Sequence, residues 1–246
     1  MKAHAYDAAH AEQYVQTPQL WFPSFLRLAP KHRKRSGAEM PVYNVLIAGI
    51  GGQGVITLGT YLKKAALRSG LHVSGSERRG GAQREGHVSS IIRYQWSDVP
   101  AGADERHEVC SPLIPSGGAH LLIGLEPLEA LRVSRHLQKD SVVVLNLSPI
   151  PPVSVRLGEA SYPPADKILD MLRTVTENIF AWNLTQIAEQ AFGTAHAANG
   201  ISLGIASRVA PLPVSETDLI DTIRQEGRPE ELEHFRLGVE LSNERR

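Results

Sequence analysis

A glycine-rich segment near the start of the chain constrains the fold more than any other part of the sequence. An apolar run at 43–48 leads into Gly49, Gly51 and Gly54, which have the spacing G-x-G-x-x-G. After the last glycine, apolar residues recur at helical intervals, beginning with Val55. A buried strand, a tight turn and a helix in this order open the βαβ unit of dinucleotide-binding folds. The segment therefore predicts a Rossmann-like α/β fold.

The same segment is a candidate anion-binding site. In this motif the first glycine permits the sharp turn, the second lets the backbone approach a ligand, and the third allows close packing of helix on strand. Backbone N–H groups at the start of the helix attract negative charge. The alternative, that the glycines only shape the turn or a protein contact, stays open. We assign these residues of the turn as candidate cofactor-binding residues: Gly49, Gly51, Gly52, Gln53 and Gly54.

The rest of the chain alternates strand and helix patterns and then becomes helical. Continuous apolar strands that alternate with helices indicate a mostly parallel sheet flanked by helices, with a helical C-terminal part. Strands are predicted at 71–76, 88–94, 121–125, 141–146 and 178–182, with a short strand or edge segment at 109–114. Helices are predicted at 126–136, 166–175, 184–191, 197–209, 215–225 and 229–241.

Composition and charge narrow the class of protein. The chain of 246 residues has 26 basic and 26 acidic residues, a balance that gives no indication of a nucleic-acid partner. No run reaches the ~18 apolar residues of a membrane span, and the N-terminus lacks the apolar core of a signal peptide. We therefore expect a cytoplasmic protein with no membrane partner. The single cysteine, Cys110, excludes an internal disulfide and an all-cysteine iron–sulfur site within this chain.

Residues 1–39 differ in composition from the rest of the chain. They contain three prolines, scattered aromatic residues and the basic run Lys31–Arg35. We interpret the run as a solvated linker in preference to a docking patch or a targeting signal. Met40 stands just before the first predicted strand. We therefore predict a poorly ordered accessory extension, or an upstream mis-start, at 1–39 and one catalytic-type domain at 40–246.

A second candidate binding segment follows the second predicted strand. The charged stretch at 77–87 holds three glycines and three arginines. Glycines at this density indicate unusual backbone angles or close approach to another group, which favours a functional loop over an exposed charged turn. Arginine side chains in such a loop suit a phosphate or a carboxylate. Its candidate cofactor-binding residues are Glu77, Arg78, Arg79, Gln83 and Arg84.

Three other chemistries have weaker support in the sequence. A nicotinamide dehydrogenase needs an acidic residue ~20 residues after the glycines, whereas Glu77 lies further along the chain. The G-x-S-x-G pattern at 200–204 has the letters of a hydrolase elbow, but its flanks indicate a packing helix of small residues. The ten histidines form neither H-E-x-x-H nor a close pair at i, i+4, so we assign no metal site. We also assign no catalytic residue to this chain.

The string Gly-Leu-Glu-Pro-Leu-Glu-Ala-Leu at 124–131 and the glycine segment at 49–55 are the basis of a family resemblance. These stretches resemble the gamma subunit, or gamma domain, of the 2-oxoacid:ferredoxin oxidoreductases, and specifically the small (beta) subunit of indolepyruvate ferredoxin oxidoreductase. The resemblance covers roughly residues 42–243, and the string Gly-Leu-Glu-Pro-Leu-Glu-Ala-Leu at 124–131 is specific. Ala82 and Glu85 depart from the family pattern, which has Met and Gly there. The other matching stretches are 76–86, 111–112 and 146–151.

The resemblance implies a multi-subunit enzyme that decarboxylates a 2-oxo acid oxidatively to an acyl-CoA. In similar enzymes thiamine diphosphate with Mg and the iron–sulfur clusters lie on a large partner subunit, and electrons pass to ferredoxin. The gamma domain packs against the thiamine-binding subunit and is implicated in binding the co-substrate coenzyme A. This chain has no Gly-Asp-Gly thiamine signature, so we expect it to bind none of these cofactors, and to be inactive, on its own. Two rival hypotheses stay open: a stand-alone NAD(P)-dependent dehydrogenase and a non-catalytic scaffold subunit.

Overall fold

The apolar segment before the glycines forms an interior strand of a six-stranded sheet. The computed structural model describes residues 42–80, 86–95 and 111–243. The predicted N-terminal extension at 1–39 and the candidate residues Gln83 and Arg84 lie outside these residues. The strands are β1 (Val42–Ile50), β2 (His72–Arg79), β3 (His87–Gln95), β4 (Ala119–Gly124), β5 (Leu137–Asn146) and β6 (Ile179–Trp182).

Eight helices lie in the described part of the chain, and the last four follow one another without an intervening strand. The predicted helical C-terminal part is therefore confirmed. None of the described helices is long and apolar enough to cross a lipid bilayer. The helices are α1 (Val55–Arg68), α2 (Pro127–Arg132), α3 (Val153–Arg156), α4 (Ala165–Arg173), α5 (Leu184–Phe192), α6 (Ala197–Val209), α7 (Glu216–Glu226) and α8 (Glu231–Asn243).

The sheet has the strand order β2-β3-β1-β4-β5-β6. The strands β1, β4, β5 and β6 are parallel neighbours, whereas β3 runs antiparallel to both β1 and β2. All strands except β3 consequently point in one direction, which confirms the predicted mostly parallel sheet. A simple βαβ unit, as predicted from the sequence, would place the second strand beside the first. The structure instead places β3 between them.

The prediction of a charged loop at 77–87 is wrong for its first three residues. Glu77, Arg78 and Arg79 belong to β2 and not to a loop. The physical reason is β3, which pairs with these residues up to Arg79↔Val88 and so provides partners for their backbone groups. A charged sequence is tolerated in this strand because its side chains remain largely exposed.

Three other local predictions differ from the structure. The described part of the predicted segment at 109–114 contains no strand, consistent with Pro112. The helix predicted at 126–136 ends at Arg132, and the 3₁₀ turn Ser134–His136 follows it, because β5 begins directly afterwards. The short helix α3 was not predicted.

Two apolar cores lie on opposite faces of the sheet, and β1 contributes to both. Val45 and Ile47 belong to the core that α1 and α5–α8 cover, whereas Leu46 and Ala48 belong to the core under α2 and α4. This division follows from the strand period of two. A strand that is buried on both faces must be apolar throughout, which explains the continuous apolar run before the glycines.

Helices α6 and α8 approach each other closely through glycine. A Cβ atom added to Gly204 would lie 2.0 Å from the carbonyl oxygen of Phe235. The G-x-S-x-G pattern at 200–204 lies within α6, and Ser202 is fully buried there. A hydrolase elbow needs an exposed serine on a turn between strand and helix. The structure therefore supports the packing-helix interpretation of this pattern.

Filling the contact at Gly204 should destabilise the protein. In Gly204→Val the new side chain overlaps the Phe235 carbonyl, so we expect a loss of about 3 kcal/mol in the free energy of unfolding, measured by urea denaturation. Gly158→Ala is the control, because no atom lies within 4 Å of its added Cβ. Its positive φ costs only about 1 kcal/mol. Equal losses in the two variants would contradict the packing role.

A polar cluster joins the amino ends of β1 and β4 to β3. The Asn44 side chain donates to the carbonyl of Gly118 at 2.7 Å and accepts from Nε of Arg93 at 2.9 Å. The backbone N–H of Asn44 donates to Nδ1 of His120 at 3.0 Å, so this nitrogen carries no proton. Burial lowers the pKa of His120 below its ordinary value, because a charged ring would lose hydration there.

The buried imidazole of His120 should make stability fall in mild acid. The unfolded chain takes up a proton at about pH 6.5, whereas folded His120 does so only at lower pH. The unfolded state therefore binds more protons in this window, and the free energy of unfolding decreases until the pH is below the folded pKa. Burial shifts His234 in the same direction, so we expect His120→Gln to reduce the slope without abolishing it.

The measurement is the free energy of unfolding in urea at several values between about pH 8 and about pH 5. His196→Gln, at an exposed position, is the matched control and should keep the wild-type slope. A slope in His120→Gln that equals the slope of the wild type would contradict the assignment.

Candidate functional site

Five strands end, and β3 begins, at one edge of the sheet, which we call the carboxyl edge. Ligands of open α/β sheets bind outside the carboxyl ends of the strands, so we expect a binding site at this edge. The glycine turn lies there, directly after β1. The last residues of the five strands are Ile50, Arg79, Gly124, Asn146 and Trp182.

The glycine turn is tight, and its tip is open. Gly52 and Gly54 have φ angles of 97° and 82°, which glycine adopts without strain. The N–H of Gln53 donates to the carbonyl of Ile50 at 3.1 Å and closes the turn. A Cβ atom on Gly52 would meet no atom within 4 Å. The open part of the turn is therefore the backbone of Gly52. It lies next to Gly51, the glycine at which the motif predicts that a ligand approaches.

The other two motif glycines are required by contacts within the protein. A Cβ atom on Gly49 would lie 2.8 Å from Oε1 of Gln53. On Gly54 it would lie 2.0 Å from Nδ2 of Asn199, in the first turn of α6. The motif predicts that the last glycine packs helix on strand, whereas here it packs α1 against a second helix. The sequence could not show this, because Asn199 is distant along the chain.

Gln53 and Asn146 share one backbone carbonyl and thereby tie three strand ends together. Oε1 of Gln53 accepts from the N–H of Ile50 at 2.8 Å, and its Nε2 donates to the carbonyl of Leu125 at 2.9 Å. Nδ2 of Asn146 donates to the same carbonyl at 3.1 Å. We call these groups the amide bridge. Gln53, predicted as a cofactor-binding residue, uses both polar atoms of its side chain within the protein.

The charged residues of β2 are divided between the two faces of the sheet. Glu77 forms an ion pair with Lys63 of α1 at 3.2 Å, so its side chain points to the α1 face. Alternation along the strand places Arg79 on the α1 face and Arg78 on the opposite face. Both arginines are exposed. The sequence predicts one loop that holds both arginines, but the structure places them on opposite faces of the sheet.

A charged cluster on the α2 face of the carboxyl edge was not predicted from the sequence. Nδ1 of His87, the first residue of β3, lies 2.5 Å from Oε2 of Glu129 in α2. Oε1 of the same carboxylate accepts from Arg132 at 2.7 Å. The Glu129 side chain is 3% exposed and the His87 side chain 29%. The two residues lie 42 positions apart, so no local spacing could have indicated the contact.

Comparison with known proteins assigns the chain to a family. The family model for pyruvate ferredoxin/flavodoxin oxidoreductase matches residues 44–241. The chain belongs to this family. Two relatives support the assignment over most of their length. The indolepyruvate oxidoreductase subunit IorB of Archaeoglobus fulgidus is 38% identical over 182 residues, which cover 74% of this chain and 84% of that protein. Subunit IorB of Thermococcus kodakarensis is 34% identical over 214 residues, 83% of this chain and 98% of that protein.

Solved structures share the fold of this family member. The gamma subunit of a keto/oxoacid ferredoxin oxidoreductase from Geobacter sulfurreducens matches with a TM-score of 0.55 and 20% identity, covering 82% of this chain and 99% of that chain. The pyruvate oxidoreductase subunit PORC from Thermotoga maritima matches with a TM-score of 0.56 and 17% identity, covering 82% and 96%. The predicted α/β architecture and the resemblance to 2-oxoacid:ferredoxin oxidoreductase subunits are confirmed. The protein is a subunit of such an oxidoreductase.

The specific string at 124–131 of this family member builds the middle of the carboxyl edge. Glu126 is buried and caps α2 by accepting from the N–H of Glu129 at 2.8 Å. Its other oxygen accepts from the hydroxyl of Tyr162 at 2.5 Å and from the N–H of Ile150 at 3.3 Å. Burial, and then the hydrogen bond to Glu126, raise the pKa of Tyr162 well above its ordinary value. The phenol therefore stays protonated as a donor to the buried carboxylate.

The described part of the carboxyl edge offers backbone donors and positive charge. Its exposed groups include the backbone at Gly52, the side chains of Arg78 and Arg79, and part of the His87 ring. Glu77 is also exposed, and its carboxylate is paired with Lys63. Among the described residues there is no group of three or more His, Cys, Asp or Glu side chains that could hold a metal ion. Cys110 lies outside the described residues. Such an edge is suited to binding an anionic ligand.

The amide bridge should stabilise the carboxyl edge measurably. In Gln53→Glu the carboxylate can still accept from the N–H of Ile50, but it cannot donate to the carbonyl of Leu125. We expect a loss of about 1–3 kcal/mol in the free energy of unfolding, measured in urea at neutral pH. Gln138→Glu on β5 is the matched control, because it introduces the same charge away from the bridge. If both variants lose equal stability, charge and not the bridge is responsible.

Proposed function

We propose that this subunit acts in the oxidative decarboxylation of a 2-oxo acid of the indolepyruvate type to its acyl-CoA, with ferredoxin as electron acceptor. The relative from Archaeoglobus fulgidus, at 38% identity, is named an indolepyruvate oxidoreductase subunit. A 2-oxoglutarate:ferredoxin oxidoreductase from Magnetococcus marinus, solved with 2-oxoglutarate, coenzyme A and succinyl-CoA, shares the fold with a TM-score of 0.58. The present chain covers 32% of that longer chain, which leaves room for a larger partner in the complete enzyme.

In this proposal the redox chemistry belongs to the larger partner subunit. Thiamine diphosphate with Mg would supply the decarboxylation there, and iron–sulfur clusters would pass the electrons to ferredoxin. The single cysteine of the present chain is too few for a cluster, and the sequence lacks a Gly-Asp-Gly thiamine signature. These residues do not fit either cofactor. The chain therefore contributes binding and positioning, and the redox steps do not pass through its side chains.

The carboxyl edge suits the pyrophosphate of coenzyme A. The helices that directly follow β4 and β6 are capped by the side chains of Glu126 and Asn183. In contrast, α1 follows Gly54 and has neither a side-chain cap nor an acidic residue in its first turn. Its first N–H groups can therefore serve an anion, and Arg79 projects from the same face. The uncapped start of α1, together with an exposed arginine on the same face of the sheet, supports the coenzyme A assignment.

The position of β3 is not the one expected for a stand-alone NAD(P)-dependent dehydrogenase. In a dinucleotide-binding unit, the acidic residue that holds the ribose ends the strand next to the glycine strand. Here β3 lies between β1 and β2. The carboxylate of Glu77 is also paired with Lys63 at 3.2 Å. A scaffold subunit without any role in ligand binding is the remaining alternative, and a change in coenzyme A affinity on mutation of the edge would exclude it.

Removing the charge of Arg79 should weaken coenzyme A binding to the assembled enzyme. The chain is co-purified with its thiamine-binding partner, and the Kd for coenzyme A is measured by isothermal titration calorimetry. Because a phosphate would lose a charge-assisted hydrogen bond, we expect the Kd of Arg79→Ala to rise roughly tenfold, with assembly intact.

Arg135→Ala is the matched control for this measurement. Arg135 is also exposed, but it lies in the 3₁₀ turn before β5, at the amino edge of the sheet. Its removal should leave the Kd unchanged. Failure of the partner to co-purify would contradict the subunit assignment. An unchanged Kd in the double variant Arg78→Ala/Arg79→Ala would favour the scaffold hypothesis.

A further inference from the structure

The contact between His87 and Glu129 holds the imidazole ring in one orientation. Nδ1 of the ring lies 2.5 Å from the Glu129 carboxylate. An ionised carboxylate only accepts hydrogen bonds, so Nδ1 carries a proton and donates it. Nε2 is therefore the ring nitrogen that can contact a ligand. The ring is partly exposed, whereas Glu129 is buried, so the cluster opens outward at His87.

Arg132 supplies a second donor to the buried carboxylate of Glu129. It donates to Oε1 of Glu129 at 2.7 Å, while His87 occupies Oε2. An unpaired buried carboxylate would be strongly destabilising. Both oxygens of the buried carboxylate therefore have a donor within the protein. Both nitrogens of an imidazolium ring are donors, so Nε2–H can donate to an anion while Nδ1–H keeps its contact with Glu129.

The cluster lies next to the glycine turn but on the other face of the sheet from α1. His87 is the register partner of Ile50, the last residue of β1. The carbonyl of Gly86 accepts from the N–H of Gly51 at 3.0 Å, which joins the start of β3 to the turn. Glu129 belongs to α2, which covers the core opposite to that of α1. A ligand lying across the carboxyl edge would therefore contact both sites.

Arg78 adds a second positive group on the face of His87. It lies opposite Ser89 in the register of β2 and β3, and Ser89 shares a face with His87. Residues related by this diagonal are about 7–8 Å apart, within reach of a long side chain. Arg79 lies on the face of α1. The carboxyl edge thus has two separate sites for negative charge.

Coenzyme A has two separate anionic groups, a pyrophosphate and a phosphomonoester at the 3′ position of its ribose. We propose that His87 and Arg78 bind the 3′-phosphate, while Arg79 and the start of α1 bind the pyrophosphate. Imidazolium and guanidinium groups donate charge-assisted hydrogen bonds, which favour a phosphate dianion. This inference rests on the proposed coenzyme A function. It adds the residues that distinguish coenzyme A from dephospho-coenzyme A.

A comparison of these two ligands tests the inference on the assembled enzyme. The Kd of coenzyme A and of dephospho-coenzyme A is measured by calorimetry for wild type and each variant. We expect the wild type to prefer coenzyme A by roughly tenfold or more. His87→Gln should lose most of this preference because coenzyme A binds more weakly, with the Kd of dephospho-coenzyme A unchanged. Arg79→Ala should weaken both ligands by similar factors.

Two further variants separate charge from structure. His87→Arg restores a positive charge and should recover a large part of the preference for coenzyme A. His136→Gln is the matched control, since His136 lies in the 3₁₀ turn at the amino edge of the sheet, and it should behave like the wild type. If His87→Arg loses the preference for coenzyme A as completely as His87→Gln does, the role of positive charge at position 87 is overturned.

The outcomes distinguish this inference from the proposed function. If His87→Gln keeps the full preference while Arg79→Ala weakens binding, the 3′-phosphate assignment is overturned and the proposed function stands. If His87→Gln weakens both ligands equally, the ring supports the edge structurally and the assignment is also overturned. If none of the variants at His87, Arg78 and Arg79 changes the affinity for either ligand, both proposals fail.

Discussion

The carbonyl oxygen of Leu125 joins the ends of three neighbouring strands through hydrogen bonds. Gln53 and Asn146 donate to it from the two neighbouring strand ends, at 2.9 and 3.1 Å. Asn146 also donates to the hydroxyl of Thr185 at 2.9 Å and so extends the connection to α5. A buried carbonyl at a strand end needs hydrogen-bond partners. The two amides meet this need and, in doing so, position the glycine turn relative to the helices that begin at the carboxyl edge.

The charge of this edge arises from burial and not from composition. The whole chain has equal numbers of basic and acidic residues, 26 of each. At the carboxyl edge, however, Glu126 and Glu129 are buried, at 1% and 3% exposure, and their oxygens are occupied by donors within the protein. Arg78 and Arg79 remain exposed. A protein with balanced charge can therefore expose arginine side chains at one edge while nearby carboxylates are buried.

Because of strand β3, the carboxyl edge has positive side chains on both faces of the sheet. In a simple βαβ unit, β2 would lie beside β1 and its last residues would adjoin the glycine turn. With β3 inserted, the first residue of β3 occupies that place, and His87 there contacts α2 while Val88 faces the α1 core. Alternation along β2 then sends Arg78 and Arg79 to opposite faces. One glycine turn is thus flanked by a separate positive site on each face.

The sequence by itself determined the features that depend on neighbouring residues. The strand, turn and helix at 42–68, the bounds of α6 and the family resemblance of the string at 124–131 follow from periodicity, glycine spacing and residue order. Only the tertiary structure decided which strands pair and on which face of the sheet Arg78 and Arg79 lie. It also decided the contact between His87 and Glu129, which are 42 positions apart in the chain. The physical reason is that strand pairing and side-chain contacts join distant segments, whose alignment no local pattern specifies.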